Sequence, residues 1–393
     1  MIILGTNSIK ASSYDVDNSC MFDGTSSYMT KTLGTPTSAK KGTISYWFKQ
    51  GSVRTGVIKT AFSFGSEYGA INYDTGTTRG FEINLSNGNG WYKGTNEGFT
   101  AADPSAWWHL VVSVDTTQGT EANRFKFYMN GSQITFTSGN NFPSSNGDIP
   151  GWASGQVMQV GRRSTTSNKY FDGYMAEVVF IDGSALTPSD FGEYNSDSPT
   201  IWQPKDVSGL TFGNNGFYLD FKDSSNLGND ANGGTDLTET GLDATNQATD
   251  TPTNNFATLN SLANRSDSKA ITLSEGNCLQ VAPSGGGDWT SISSTFGVNK
   301  GKWWAECNVI HLDAGQTVTG IISEGVLNRG TSSDGYGIHT APGFANQYKG
   351  IGYQFEGYLY PGSGGSRSSY GASYGQGDII NIAMNLDDGE VTF

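Results

Sequence analysis

Hydrophobic and polar positions alternate along this chain in short runs, and almost nowhere with a helical period. GTISYWFKQ (42–50) and WWHLVVSV (107–114) are β-branched and aromatic between turn residues, which predicts strands. FKFYM-NG-SQITF (125–136) predicts a hairpin, because Asn130-Gly131 can take the positive-φ dihedrals of a type I′ turn between two β-forming runs. YMAEVVFID (174–182) reads as a buried strand and GFYLDF (216–221) as a short apolar one. LTPSDFGEY (186–194) alone has helix-start features: Thr187 as N-cap, Pro188 at the first helical position and Asp190 in the first turn. Residues 223–255 are polar, acidic and nearly free of aromatics, so they predict a long linker or an irregular surface strap. From residue 266 the β-pattern returns, in AITLSEGNCLQVAP, GKWWAECNVI, TVTGIIS, GYGIHT, YKGIGYQF and DIINIAMNLDDGEVTF. The last run stops at Phe393 inside a strand pattern, so a final strand is expected beyond it and the sequence reads as a fragment.

Many short strands with Gly, Asn and Ser turns predict sandwiches or barrels. The 54 glycines among 393 residues fit that reading, and 12% aromatics are too many for a disordered chain. Net charge is −14, which argues against nucleic acid as a partner and against anionic membrane surfaces. The charge is uneven: residues 1–205 carry 15 basic and 17 acidic side chains, and residues 206–393 carry 8 and 20. No apolar run is long enough to span a bilayer, and the N-terminus lacks the basic start and apolar core of an export signal. Cys20, Cys278 and Cys307 are odd in number and form no CxxC, so buried thiols are expected, with a Cys278–Cys307 bridge as the alternative.

FDGTSSYM (22–29), GTISYWFK (42–49), WWHLVVSVD (107–115), FKFYMNG (125–131), MQVGRR (158–163) and FDGYMAEVVFIDGSALTPSDF (171–191) follow one another in an order that resembles the laminin-G-like, or concanavalin A-like, jelly-roll domains. GKWWAECNV (301–309) and GDIINIAMNLDDGEVTF (377–393) resemble two strand elements of SPRY-type sandwiches, with Asn381 and Asn385 as departures. The implied fold is all-β: two antiparallel β-sandwiches, a concanavalin A-like jelly roll and then a SPRY-like sandwich, joined by a long acidic connection. The expected partition is an N-terminal segment (1–17), a jelly roll (18–200), a linker with a short strand (201–265) and the SPRY-like region (266–393). The combination resembles tail-fibre or virion surface proteins of marine tailed bacteriophages. That resemblance implies a protein made in the host cytoplasm and placed on the virion, with a host-surface glycan and other virion proteins as partners, no membrane insertion, and a homo-oligomer as one option.

Catalytic patterns fail on inspection, and no catalytic residue can be named. Glucanases on this fold use a strand reading E-x-D-x-x-E, whose alternate carboxylates share a face; no Glu here is followed two positions on by Asp. GASYG (371–375) matches a nucleophile elbow around Ser373, but no His follows it. DVDNS (15–19) starts like an EF-hand loop and then puts Cys20 and Ser26 where Gly and Glu are needed. His109, His311 and His339 lie far apart.

Binding chemistry is better represented. YLYPGSGGSRSSYGASYGQG (358–377) has the Tyr/Ser/Gly composition of contact loops, which makes Tyr358, Tyr360, Arg367, Tyr370 and Tyr374 candidate ligand contacts; alternatively the tyrosines cover a nearby core. Trp91 and Tyr92, between Gly-rich turns, could form a sugar platform, or Trp91 could be buried. The jelly-roll resemblance implies Ca2+ as a possible cofactor, with Asp23 and Glu177 as candidate ligands; alternatively Asp23 makes a turn and Glu177 is a solvated strand residue. The function expected is a non-catalytic phage adhesin that binds host carbohydrate through loops. A structural virion protein making protein–protein contacts is the alternative, and a polysaccharide-cleaving enzyme is the weaker one.

Overall fold

A computed structural model describes residues 14–51, 58–65, 69–74, 80–84, 93–96, 103–135, 142–163, 169–260, 271–281, 292–298, 300–311, 318–322, 350–361 and 366–393. These residues form two compact units, one comprising residues up to 255 together with 275–277, the other residues 256–274 and 278–393. Among the described residues every helix is a single 3-10 turn.

The first unit contains β1 (Ser19–Asp23), β2 (Tyr28–Thr32), β3 (Lys41–Gln50), β4 (Ile58–Phe64), β5 (Gly69–Asp74), β6 (Gly80–Asn84), β7 (Lys93–Asn96), β8 (Trp108–Asp115), β9 (Phe125–Met129), β10 (Ser132–Ile134), β11 (Val157–Val160), β12 (Asp172–Asp182), β13 (Gly192–Tyr194), β14 (Trp202–Pro204), β15 (Phe217–Leu219), β16 (Thr238–Thr240) and β17 (Gln247–Ala248). An eight-stranded antiparallel sheet runs β10-β9-β8-β3-β12-β1-β17, with β15 also on β12, and a seven-stranded sheet runs β16-β2-β11-β4-β5-β6-β7. The two sheets enclose the main core. In β3, Ile44, Tyr46 and Phe48 point into it; from β4 come Phe62 and Phe64, and from β8 Leu110, Val112 and Val114. Alternate residues of β3 face this core because successive side chains of a strand point to opposite faces of its sheet.

The other face of the eight-stranded sheet is also covered. Val111, Val179, Ile181 and Tyr218 pack with Phe191, Val207 and Phe212, while Trp47, Trp107 and Tyr174 form a further cluster with Val16 and Met21. That explains why β3 and β12 read as continuous apolar runs. The hairpin forms as expected, with Asn130 at φ 46° and Gly131 at φ 79° between β9 and β10. The helix-like stretch shrinks to one 3-10 turn, Pro188–Asp190, with Thr187 and Asp190 in a capping box. Its chain then enters β13, which pairs with β14.

Residues 201–255 differ from the expected connection: they are built into the first unit. β15 pairs with β12, β16 with β2, and β17 with β1. Leu227 and Leu237 are buried in the main core. Residues 223–255 follow the strap alternative, ordered by local hydrogen bonds as well as by the buried Leu227 and Leu237. Asp230 Oδ1 accepts from the backbone N–H groups of Tyr218 and Asn232, Asp236 Oδ1 accepts from that of Asp230, and Asn246 Nδ2 donates to the Met21 carbonyl. Asp and Asn side chains that bond backbone groups let a polar strap order itself.

The second unit contains β18 (Thr272–Ser274), β19 (Leu279–Val281), β20 (Lys302–Asn308), β21 (Val318–Ile322), β22 (Gly350–Gln354), β23 (Tyr358–Pro361), β24 (Ser368–Ser369), β25 (Ile379–Asn385) and β26 (Glu390–Thr392). These form a β18-β19 hairpin, a three-stranded sheet β20-β25-β26 and a four-stranded sheet β21-β22-β23-β24. The two strand elements singled out by sequence pair with each other, Lys302 opposite Asn385. A small core gathers Val309, Tyr353, Tyr374 and Ile380. Cys20 is buried as expected, whereas Cys278 and Cys307 are exposed and unbridged, which corrects the expectation of three buried thiols.

Candidate functional site

The Tyr-rich stretch of the second unit divides between surface and core. Tyr374 is a correction: it is buried, its hydroxyl donates to the Tyr353 carbonyl at 3.1 Å, and its ring packs on Tyr353. Tyr370 is exposed but lies edge-on to Tyr353 and accepts from the Phe393 backbone N–H. Arg367 stacks over Tyr358, with 4.3 Å from Cζ to the ring centroid, and its guanidinium pairs with Glu356 at 2.8 Å. Its charge is therefore already answered within the chain. Tyr360 lies in β23, and Trp91 and Tyr92 lie outside the described residues.

The structure does not bring Asp23 and Glu177 together. Asp23 ends β1, opposite Asp172, at the far end of the β1–β12 ladder from Glu177. Its carboxylate accepts from the backbone N–H groups of Thr25, Ser26 and Ser27 and from their hydroxyls. Partial burial opposes ionisation, yet these hydrogen bonds hold the carboxyl well below the usual range. Glu177 is not a solvated residue; it is buried in a bulge of β12, at φ 49°, where the register against β3 shifts between Ala176 and Val179. Its oxygens accept from Tyr218 Oη at 2.8 Å and Tyr14 Oη at 3.0 Å. Burial pushes its carboxyl up to about 7, against the lowering effect of those two hydroxyls. Among the described residues, no group of three His, Cys, Asp or Glu could hold a metal ion.

The group with the best geometry for a ligand is one that sequence reading did not assemble. The outer face of the eight-stranded sheet is covered, whereas on β2 of the seven-stranded sheet Tyr28, Thr30 and Thr32 alternate outward, half-buried to exposed. At the end of β11, Gly161 takes φ 85°, a left-handed conformation in which a side chain would strike the Phe22 ring. The turn sets Arg162 over this face, where its carbonyl accepts from Ser63 Oγ at 2.9 Å. The Arg162 guanidinium lies 3.7 Å over the Tyr28 ring and 5.9 Å from that of Tyr170. Its Nε donates to Gln159 Oε1 at 2.9 Å. Tyr170 forms an isolated antiparallel β-bridge with Arg162, and the Tyr28 and Tyr170 rings stand 6.3 Å apart at 56°.

The arrangement offers the Tyr170 ring, a cation held over Tyr28 and, beside them, the Thr30 and Thr32 hydroxyls on β2. Such a surface can stack on the C–H face of a small polar ring while bonding its oxygens. MQVGRR contained one of these residues, but Tyr28 and Tyr170 are remote in sequence and only sheet register brings them beside it.

A search of curated proteins finds no match to the chain. Among solved structures, a candidate carbohydrate-binding protein from Bacteroides ovatus ATCC 8483 aligns with 16% identity and a TM-score of 0.39, over 60% of this chain and 60% of that one. The SAP-like pentraxin of Limulus polyphemus aligns with 15% identity and a TM-score of 0.29, over 44% of this chain and 80% of that one. CBM40 of the Ruminococcus gnavus IT-sialidase, bound to alpha2,3 sialyllactose, aligns with 17% identity and a TM-score of 0.28, over 45% and 97%. Residues 23–190 match the family model Laminin_G_3, described as the concanavalin A-like lectin/glucanases superfamily, so over that stretch the chain is similar to a lectin-type sandwich.

Proposed function

We propose that this chain is a non-catalytic carbohydrate-binding protein of the lectin type, with the first unit as its binding module. The observation that carries the reading is the Tyr28–Arg162–Tyr170 group, presented on the outward side of a sandwich whose sequence matches the concanavalin A-like family over residues 23–190. β2 holds Tyr28, and the bridge between Arg162 and Tyr170 holds the other two, which lowers the ordering cost on binding. The setting consistent with the succession of jelly-roll-like and SPRY-like regions is a virion adhesin that meets host-surface glycan, where many weak sites would add avidity. Ca2+ is an accessory in this reading.

The test is a broad microbial glycan array probed with the purified chain, with calcium and again with chelator, alongside a reducing-end assay. Saturable binding without release of reducing ends is expected; loss of binding in chelator would add an ion to the site. A silent array under both conditions would overturn the reading. It would favour a structural virion protein, to which the exposed Val281, Ile310 and Ile379 of the second unit are suited.

A further inference from the structure

We infer that the ligand of the Tyr28–Arg162–Tyr170 group is a sugar carrying a carboxylate, a uronic or nonulosonic acid residue, gripped end-on by the Arg162 guanidinium. The inference rests on the carbohydrate-binding reading and narrows it. Its first support is how the arginines of known surroundings are used. Arg124 spends Nε, Nη1 and Nη2 on the carbonyls of Gln118, Pro143 and Gly119. Arg367 spends its charge on Glu356. Arg162 spends only Nε, on Gln159, and has no acidic partner among the described residues. Its two Nη groups form the fork that matches a carboxylate bidentately. Tyr28 beneath the guanidinium plane and Gln159 at Nε remove most of its rotational freedom before any ligand arrives.

The second support is local charge. The chain is strongly acidic overall, at −14, yet Arg162, Arg163 and Lys169 lie close together in sequence, and the neighbouring Asp172 is already paired with Lys59 at 2.9 Å. The Arg163 backbone N–H donates to the Lys169 carbonyl at 2.9 Å. This local run of cations favours an anion at Arg162, since beyond roughly 8 Å at physiological ionic strength the remaining negative charge is screened. A carboxylate seated in the plane of the guanidinium would place its sugar ring beside Tyr170, whose hydroxyl has no partner among the described residues.

The experiment pairs uronate oligosaccharides with the same oligosaccharides after reduction of their carboxyls to alcohols. Sialylated, sulphated and neutral glycans complete the panel, and each is titrated against the full chain. Carboxylated glycans should bind, and carboxyl reduction should weaken binding at least about tenfold, the usual worth of a charged hydrogen-bonded pair. Arg162→Gln should remove that preference at unchanged melting temperature, and Arg162→Lys should restore only part of it, because an ammonium lacks the fork. If Arg162→Gln lowers the melting temperature, Arg162→Lys against the reduced and unreduced pair becomes the deciding comparison. Equal binding of the carboxylated and carboxyl-reduced oligosaccharides by the wild-type protein would overturn the inference and leave the carbohydrate reading intact. Binding of sulphated glycans alone would also overturn it. A panel with no bound glycan would remove both.

Discussion

Glu177 is the side chain whose environment departs furthest from what its strand position implies. Its carboxyl is raised from 4.5 to about 7, so between those values the folded protein binds more protons than the unfolded chain. The stabilising contribution is therefore complete below about pH 4.5 and is lost as pH rises through about 7. Its size is on the order of 3 kcal/mol. Asp220 and Lys222 also act on this carboxyl, and Asp206 acts on Tyr14. His109 has the opposite sign: burial lowers its imidazole to about 3, so its contribution is lost as pH falls. Thermal melts from about pH 5 to about pH 8 should therefore show Glu177→Gln gaining stability relative to wild type as pH rises, and a constant difference would refute this. The His109 ring is itself fully specified. Trp202 Nε1–H donates to Nδ1 at 2.9 Å, so the proton sits on Nε2 and points to Ser45 Oγ at 2.8 Å. Trp47 and Trp202 stack on the ring, with centroids 4.7 and 6.0 Å away. Trp202→Phe should cost about 1–3 kcal/mol in denaturant unfolding, because Nδ1 loses its donor while buried.

Among the elements, the polar strap carries the most consequence for stability. Lys49, on β3, is buried, and its ammonium bonds Asp250 at 2.7 Å and Asn255 at 2.8 Å. Trp107 Nε1 donates to the other Asp250 oxygen at 2.9 Å. A strap residue thus neutralises a cation within the sheet. Asp250→Ala should destabilise the first unit by about 3–5 kcal/mol by leaving that charge without its counter-ion, whereas Asp243→Ala, at an exposed turn, should cost far less. Comparable losses for the two would show that Lys49 is rehydrated. β12 organises the same region from the other side. It pairs with β3 along its length, with β1 before the bulge and with β15 after it. Gly173, at φ 137°, allows the Lys49 carbonyl to approach closely there, and a Cβ would collide with it.

The whole molecule is two units, each with its own apolar cluster. The first unit also claims Glu275–Asn277: Asn277 Nδ2 donates to the Gly51 carbonyl, and Gly276 lies against the Tyr174 ring. A fragment of residues 14–277 should therefore melt in one cooperative transition with the Trp and His environments of the intact chain. A fragment ending at residue 200, the expected end of the jelly roll, should not fold, since it lacks β14 to β17. Protease resistance and near-ultraviolet circular dichroism would separate the two outcomes. Among the described residues no helix is long and apolar enough to cross a membrane.

The sequence by itself determined the all-β class, the hairpin at Asn130-Gly131 and the main strands of the first unit, because β-propensity and turn chemistry are local properties. It also determined a chain whose charge is unevenly distributed. Only the tertiary structure decided which polar residues work in the interior. Glu177 is buried because a bulge turns it toward Tyr14 and Tyr218, and Asp250 is buried because Lys49 waits for it across 201 positions of chain. The same holds for the candidate site. Tyr28, Arg162 and Tyr170 meet through the register of β2 on β11 and the turn at Gly161, a juxtaposition that no local pattern encodes. Tyr-rich composition pointed instead to residues 358–377, where tertiary packing assigns Tyr374 to the core, since composition reports what a segment contains and not which side chains water is excluded from.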